Sequence, residues 1–163
     1  TGLGSLGDWA FGNCSGLGTL SIPAGVTNVG DWAFSGCDRL KVYFHGAAPA
    51  VGGSYGQVGG LLAGPRIFYA PGQPGWGPTW GGCPTEAWAP EVVVDGASVR
   101  RGGPFTFQLT GATNMDVVIG ACPELEKADW STLGTVTLTN GVTVFSDPGS
   151  TNHPACFYDF SMP

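Results

Sequence analysis

Charged side chains are scarce in this chain. Only 11% of its 163 residues are Asp, Glu, Lys or Arg, and the formal net charge is −6. Six residues are basic, and Arg100–Arg101 is their one adjacent pair. A surface that follows a phosphate backbone needs more basic side chains than this, so we expect no nucleic-acid partner. A surface so poor in charge also has little electrostatic protection against association.

Long apolar segments are missing as well. No run approaches the roughly 18 apolar residues of a membrane-spanning helix, so no membrane span is predicted. The first residues lack the charged and then apolar pattern of a secretory signal. Because residue 1 already lies inside a repeat, we expect the numbered chain to be a mature or trimmed product.

Few residues could carry chemistry. The two histidines, His45 and His153, fall in different predicted domains, and no partners converge on either. The acidic residues Glu124, Glu126 and Asp129 lack the spacing of a calcium loop and suggest a solvated loop, with a calcium site as the alternative. We therefore predict no catalytic, metal or cofactor-binding residues and no enzymatic activity.

The five cysteines form no Cys-x-x-Cys or Cys/His pattern, which argues against zinc. Cys14 and Cys37 are either two small buried residues, the favoured reading, or bonded between successive coils. Cys122 and Cys156 lie in strand-like segments, where a bridge is possible. Cys83 is then free or available to another chain.

A repeat of 23 residues dominates the first half. Gly-Asp-Trp-Ala-Phe occurs at residues 7–11 and again at 30–34, and Leu17 and Leu40 keep the same spacing. A fixed period of this length is typical of a solenoid, in which each coil buries its apolar face against its neighbours. Such folds usually present surfaces to partners.

Each repeat predicts a short helical turn, a corner and a short strand. The recurrence of Trp9 and Trp32 suggests core side chains. Apolar alternation predicts parallel strands with one face inward. These strands are expected at residues 20–22, 42–44 and 67–69.

The repeat resembles a known family. Residues 26–40 read Val-x-x-Val-Gly-Asp-Trp-Ala-Phe-x-x-Cys-x-x-Leu, which is similar to the BspA-type leucine-rich repeat of bacterial surface and secreted proteins. Residues 67–72 and 75–82 are similar to the segment that closes such stacks. The resemblance covers about residues 1–90. It implies an extracellular, non-enzymatic domain that binds other molecules or takes part in adhesion.

Residues 46–65 interrupt the period. They contain seven glycines and no charge. A floppy connector is one reading, but its apolar residues, including Val51, Tyr55 and Val58, favour an ordered loop and an irregular coil. Trp76, Trp80 and Trp88 are expected to cover the lower end of the stack, or alternatively to form a sugar-stacking platform.

The pattern changes near residue 90, which divides the chain into domains 1–89 and 90–163. Short β-rich runs alternate with turn residues and predict a small antiparallel sandwich. Asn140–Gly141, between two Thr/Val runs, predicts a hairpin. The tail from Trp130 to Tyr158 resembles a C-terminal β-module of secreted bacterial proteins. Strands are expected at residues 91–95, 105–109, 116–121, 135–138, 142–145 and 156–160.

The two ends of the predicted stack differ. Residues 70–90 supply a cap at the lower end, whereas the strand preceding residue 20 by one period would fall before Thr1. Either further repeats are absent from the sequence, or another copy covers that edge in a head-to-tail contact that builds a filament. We therefore expect an extracellular structural subunit that self-associates. The alternative is a monomeric surface module for adhesion or for protein or carbohydrate binding.

Overall fold

The computed structural model describes residues 2–60, 64–94, 103–152 and 155–163. Thr1, Leu61, Leu62, the Arg100–Arg101 pair and His153 lie outside the described residues. The chain divides into two compact units, Thr1–Ala87 and Trp88–Pro163. In these described ranges almost all regular structure is β-strand, and the two helical segments are short 3-10 helices at Leu125–Lys127 and Pro148–Asn152. Within the described ranges no helix has the length and apolar character needed to cross a membrane.

The first unit is a β-solenoid with two parallel sheets. The smaller sheet has the order β1-β3-β5, and the larger has the order β2-β4-β6-β8-β7. Among the strands described in this unit, β7 alone runs antiparallel to its neighbour, β8. The strands are β1 (Ser5–Leu6), β2 (Thr19–Ile22), β3 (Asn28–Val29), β4 (Lys41–Phe44), β5 (Ala50–Val51), β6 (Arg66–Tyr69), β7 (Thr79–Trp80) and β8 (Cys83–Ala87).

The three predicted strands of the repeat are present, each beginning one residue earlier than expected. Their registers place Leu20 beside Val42 and Val42 beside Ile67. Ile22, Val42 and Ile67 are almost fully buried. Apolar side chains at alternate positions therefore line the interior between the sheets, as the period-two pattern predicts. The positions between them are not all exposed, because Tyr43 and Phe68 are also fully buried and stack with ring centroids 5.0 Å apart.

The predicted helical turns are wrong. Residues 8–13 form successive hydrogen-bonded turns that pair with the next coil. The Trp9 N–H donates to the Asp31 carbonyl oxygen at 3.0 Å, and the Phe11 N–H donates to that of Ala33 at 2.8 Å. Trp9 and Trp32 have φ angles of 58° and 61°. A right-handed helix cannot pass through a left-handed residue, so the turn stays open to its neighbouring coil.

Residues 46–60 form a coil of the solenoid. Strand β5 pairs in parallel with β3, with Asn28 beside Ala50. Val58 is buried, and its carbonyl oxygen accepts the Phe34 N–H at 2.8 Å. Val51 and Val58 of this glycine-rich stretch thus continue the core, which residues of a flexible connector would not do.

The second unit contains two three-stranded antiparallel sheets, with orders β13-β10-β9 and β12-β11-β14. Phe107 of one sheet is buried and contacts Tyr158 and Phe160 of the other, with ring centroids 5.4 and 5.5 Å apart. An apolar core therefore joins the two sheets. Its strands are β9 (Glu91–Val93), β10 (Phe105–Thr110), β11 (Met115–Cys122), β12 (Ser131–Leu138), β13 (Val142–Asp147) and β14 (Phe157–Ser161).

The predicted hairpin at Asn140–Gly141 is wrong. The flanking strands belong to different sheets, because β12 pairs with β11 and β13 pairs with β10. A type I′ hairpin needs positive φ at both central residues, and here Gly141 has it, at 78°, but Asn140 does not. The Gly141 carbonyl oxygen accepts the Gly111 N–H at 2.9 Å. The turn carries the chain from one sheet to the other.

Candidate functional site

The acidic residues singled out in the sequence form no cation cage. Glu124 pairs with the Lys127 ammonium at 2.7 Å, and both side chains are exposed. In the part of the chain that the structure describes, no three His, Cys, Asp or Glu side chains are grouped closely enough to hold a metal ion. His45 lies at the end of β4.

All five cysteines are free thiols. Cys14 is exposed, whereas Cys37 is buried and its thiol donates to the Phe11 carbonyl oxygen at 3.0 Å. Only the second therefore fits the expected buried residue of the repeat. Cys122 lies opposite Phe157 in the strand register, so Cys156 is one position out of line with it. Neighbouring positions of a strand face opposite sides, which accounts for the missing bridge.

Cys83 is buried in the solenoid core. Burial raises the pKa of its thiol to about 11, against a smaller lowering by the Gly59 backbone. A Cβ atom added at Gly59 would lie 2.6 Å from the Cys83 sulfur. The thiol fills a space that this glycine leaves, so it is not available to another chain.

The alternative prediction of a sugar platform formed by Trp76, Trp80 and Trp88 fails at Trp80, which is buried, while Trp76 is half-buried against the core. Trp80 is 8% exposed and donates its indole N–H to the Pro49 carbonyl oxygen at 2.8 Å. Trp76 stacks on Tyr69 with ring centroids 5.0 Å apart. These contacts close the lower end of the core. In the second unit, the Trp88 indole N–H donates to the Asp116 carbonyl oxygen at 2.9 Å.

An exposed row of aromatic rings lies instead on the turns of successive coils. Trp9, Trp32 and Tyr55 have neighbouring ring centroids 6.2 and 5.8 Å apart, and we call these three side chains the aromatic row. Trp9 is 53% exposed and Tyr55 is 70% exposed, whereas Trp32 between them is half-buried. The expectation that Trp9 and Trp32 are core residues is wrong.

The left-handed backbone explains why these indoles face outward. The positive φ angles of Trp9 and Trp32 reverse the direction of the backbone at these two residues. Phe11 and Phe34 instead stack inside the unit, with ring centroids 5.9 Å apart. A bulky residue in this conformation costs on the order of 1–3 kcal/mol. The backbone is therefore strained at two residues, Trp9 and Trp32, whose side chains are not fully buried.

An aspartate fixes each turn to the following coil. The Asp31 N–H donates to Asp8 Oδ1 at 2.9 Å. Asp31 Oδ2 and Oδ1 accept the N–H groups of Tyr55 and Gln57 at 2.9 and 3.2 Å. The hydrogen bond from Tyr55 is the largest influence on the Asp31 carboxyl, and the balance of influences lowers its pKa. Asp31 therefore positions the last ring of the row.

A glycine in the following coil makes room for each aspartate carboxylate. A Cβ atom at Gly30 would collide with the Asp8 carboxylate, and one at Gly53 would collide with the Asp31 carboxylate. Glycine is required here for close approach between coils. The Gly-Asp-Trp motif is thus a unit of inter-coil packing.

The two ends of the larger solenoid sheet are different. Among the described strands, β2 is outermost at one edge, and the antiparallel strand β7 is outermost at the other. Strand β1 is likewise outermost in the smaller sheet. An edge strand is a template for pairing with another strand.

Tyr55 is the functional candidate that the sequence analysis missed. It lies 23 residues after Trp32, so the period contained the signal, but the surrounding glycines hid it. The backbone also departs from the repeat here, because the Trp32 N–H donates to the Gln57 carbonyl oxygen.

Comparisons of the chain with protein-family models, with curated proteins and with solved structures found no match.

Proposed function

We propose that this chain is a non-enzymatic, extracellular structural subunit that self-associates head to tail through the edge strands of its solenoid. The resemblance of its repeat to BspA-type leucine-rich repeats supports an extracellular setting. On this proposal the first unit is a short leucine-rich-repeat solenoid, and the second is a small β-sandwich built around Phe107.

The observation that carries the proposal is the difference between the two edges of the larger sheet. Strand β2 lies at one edge and β7 at the other. Strand β2 runs parallel to β4, β6 and β8, while β7 runs against β8. A second copy translated along the solenoid axis would place its β2 antiparallel to β7. Such a contact joins two different surfaces, so it repeats without closing.

The scarcity of charge supports the same conclusion. Edge strands that avoid pairing commonly carry lysines or prolines. Strand β2 reads Thr-Leu-Ser-Ile and has neither. The next residue, Pro23, lies outside the strand.

Light scattering coupled to size-exclusion chromatography over a range of concentrations tests this proposal. We expect masses well above the 16.7 kDa of one chain, rising with concentration, and filaments in negative-stain micrographs. Gly18→Lys places a charge immediately before β2, where an added Cβ atom meets nothing within 4 Å, and should shift the protein towards monomer. Ser15→Lys adds the same charge at an exposed turn and should leave assembly intact.

Two outcomes would count against self-association. One is a monomer at every concentration in the unmodified chain. The other is an equal effect of Gly18→Lys and Ser15→Lys, which would locate the contact away from β2. Circular dichroism of each variant checks that the fold is retained.

A second candidate function is a monomeric recognition module. The aromatic row favours it, because exposed aromatic side chains supply large, rigid contact area at partner surfaces. The same chromatography separates the candidates, since a recognition module remains a single chain without its ligand.

A further inference from the structure

The aromatic row is the most distinctive exposed surface of the first unit. Three rings follow one another at centroid spacings of 6.2 and 5.8 Å. We propose that the aromatic row binds a neutral polysaccharide chain, stacking against the apolar C–H faces of successive sugar rings. This inference is independent of the self-association proposed above.

The backbone argues for a ligand at this surface. Trp9 and Trp32 both hold a left-handed conformation that glycine or asparagine would adopt more easily. Trp9 lies against Gly12, where an added Cβ atom would be 2.7 Å from the indole Cε3. Even so, slightly more than half of the Trp9 surface faces solvent. Strain retained at an exposed aromatic side chain indicates a use for the ring beyond packing.

The charge around the row selects the class of ligand. The turns that carry the three rings, residues 7–13, 30–36 and 53–57, contain no Lys or Arg. Asp31 is buried and already accepts two backbone hydrogen bonds. The turns themselves offer an anionic polymer no basic side chain, on a chain with a net charge of −6. A neutral sugar needs no ion pair, because stacking on an aromatic ring requires no charge.

The shape of the row suits an extended chain. The rings belong to successive coils, so the row follows the solenoid axis. Polar uncharged side chains lie beside it in sequence at Asn13, Ser54 and Gln57 and can hydrogen-bond sugar hydroxyl groups. Exposed aromatic rings with neutral polar neighbours are two features that a pyranose chain can use.

Isothermal titration with defined probes tests the inference. The neutral probes are cellohexaose and laminarihexaose, and heparin is the anionic comparison. We expect binding of at least one neutral hexasaccharide, unchanged between low and high salt, and none of heparin. Tyr55→Ala and Trp9→Ala should each weaken binding about tenfold or more.

Matched variants separate binding from folding. Trp9→Gly removes the ring and relieves the left-handed strain, so it should keep the melting temperature while losing affinity. Trp130→Ala removes an exposed tryptophan of the second unit and should bind like the unmodified chain. Failure of both neutral hexasaccharides to bind would overturn the proposal. Equal affinity in Trp9→Gly, Tyr55→Ala and the unmodified chain would overturn it too.

Discussion

The carboxylate of Asp31 accepts the backbone N–H of Tyr55 at 2.9 Å, which joins the second coil of the solenoid to the third. A second oxygen of the same group accepts the Gln57 N–H at 3.2 Å. One buried side chain therefore orders the glycine-rich turn that carries Tyr55. This relationship leads to the first prediction.

Asp31→Asn should lower the melting temperature at neutral pH, because an amide offers one acceptor oxygen where the carboxylate offers two. The lowered pKa means that the unfolded chain binds a proton more readily than the folded one. The stabilisation is therefore present above the unfolded value near 3.8 and is lost as pH falls through the lower folded pKa. Thermal melts between pH 7 and pH 2 should show the two proteins converging in acid. Asp38→Asn, at an exposed position, is the control. A difference in melting temperature between Asp31→Asn and the unmodified chain that stays the same from pH 7 to pH 2 would contradict the prediction.

Gly53→Ala should destabilise the solenoid by about 1–3 kcal/mol. The residue has a φ angle of 89°, and its new methyl group would meet the Asp31 carboxylate. Gly16→Ala provides the comparison, because an added Cβ atom there meets nothing within 4 Å. Urea denaturation measures both. Equal free energies of unfolding for Gly53→Ala and Gly16→Ala would contradict the close approach between Gly53 and the Asp31 carboxylate.

Cys83 should resist alkylation in the folded protein while Cys14 reacts. The rise of the Cys83 pKa from 9.0 to about 11 makes its thiolate fraction about a hundredfold smaller at pH 8, and burial adds a steric barrier. Peptide mapping after timed exposure to iodoacetamide measures each rate. Unfolding in urea should remove the difference, and a Cys83 that reacts as fast as Cys14 in the native state would show the core to be open.

Gly141→Ala should destabilise the second unit by about 1 kcal/mol or more, because φ at this position is 78° and the methyl group would lie 2.8 Å from the Gly111 carbonyl oxygen. Asn140→Ala should be nearly neutral, since Asn140 has no positive φ angle. A type I′ hairpin would make both substitutions costly. Denaturation of the two variants thus distinguishes a crossing between sheets from the hairpin that the sequence suggests.

The sequence predicted the strands of the solenoid well because their information is local. Leu20 and Ile22 alternate with polar neighbours, and Val42 and Phe44 keep the same spacing, although Tyr43 between them is also buried. A period of two reports directly which side chains share a face. The closing role of Trp80 likewise followed from its place after the last repeat.

The direction of the tryptophans could not be predicted in the same way. Recurrence of Trp9 and Trp32 showed that their environments are equivalent, but equivalence does not distinguish inside from outside. The deciding factor is a left-handed backbone at a bulky residue, for which sequence patterns give no warning. The hairpin prediction at Asn140–Gly141 failed because β13 pairs with β10, which lies far earlier in the chain, while β12 pairs with the strand directly before it, β11.

The Gly-Asp packing unit has a consequence for how such an array can change over time. Each of these two carboxylates contacts a glycine in the following coil. Duplication or deletion of one whole coil in the gene would therefore preserve the contacts between the coils that remain. Loss of one or two codons would instead bring a carboxylate against a side chain. Natural variants of this protein should therefore differ in length by complete coils.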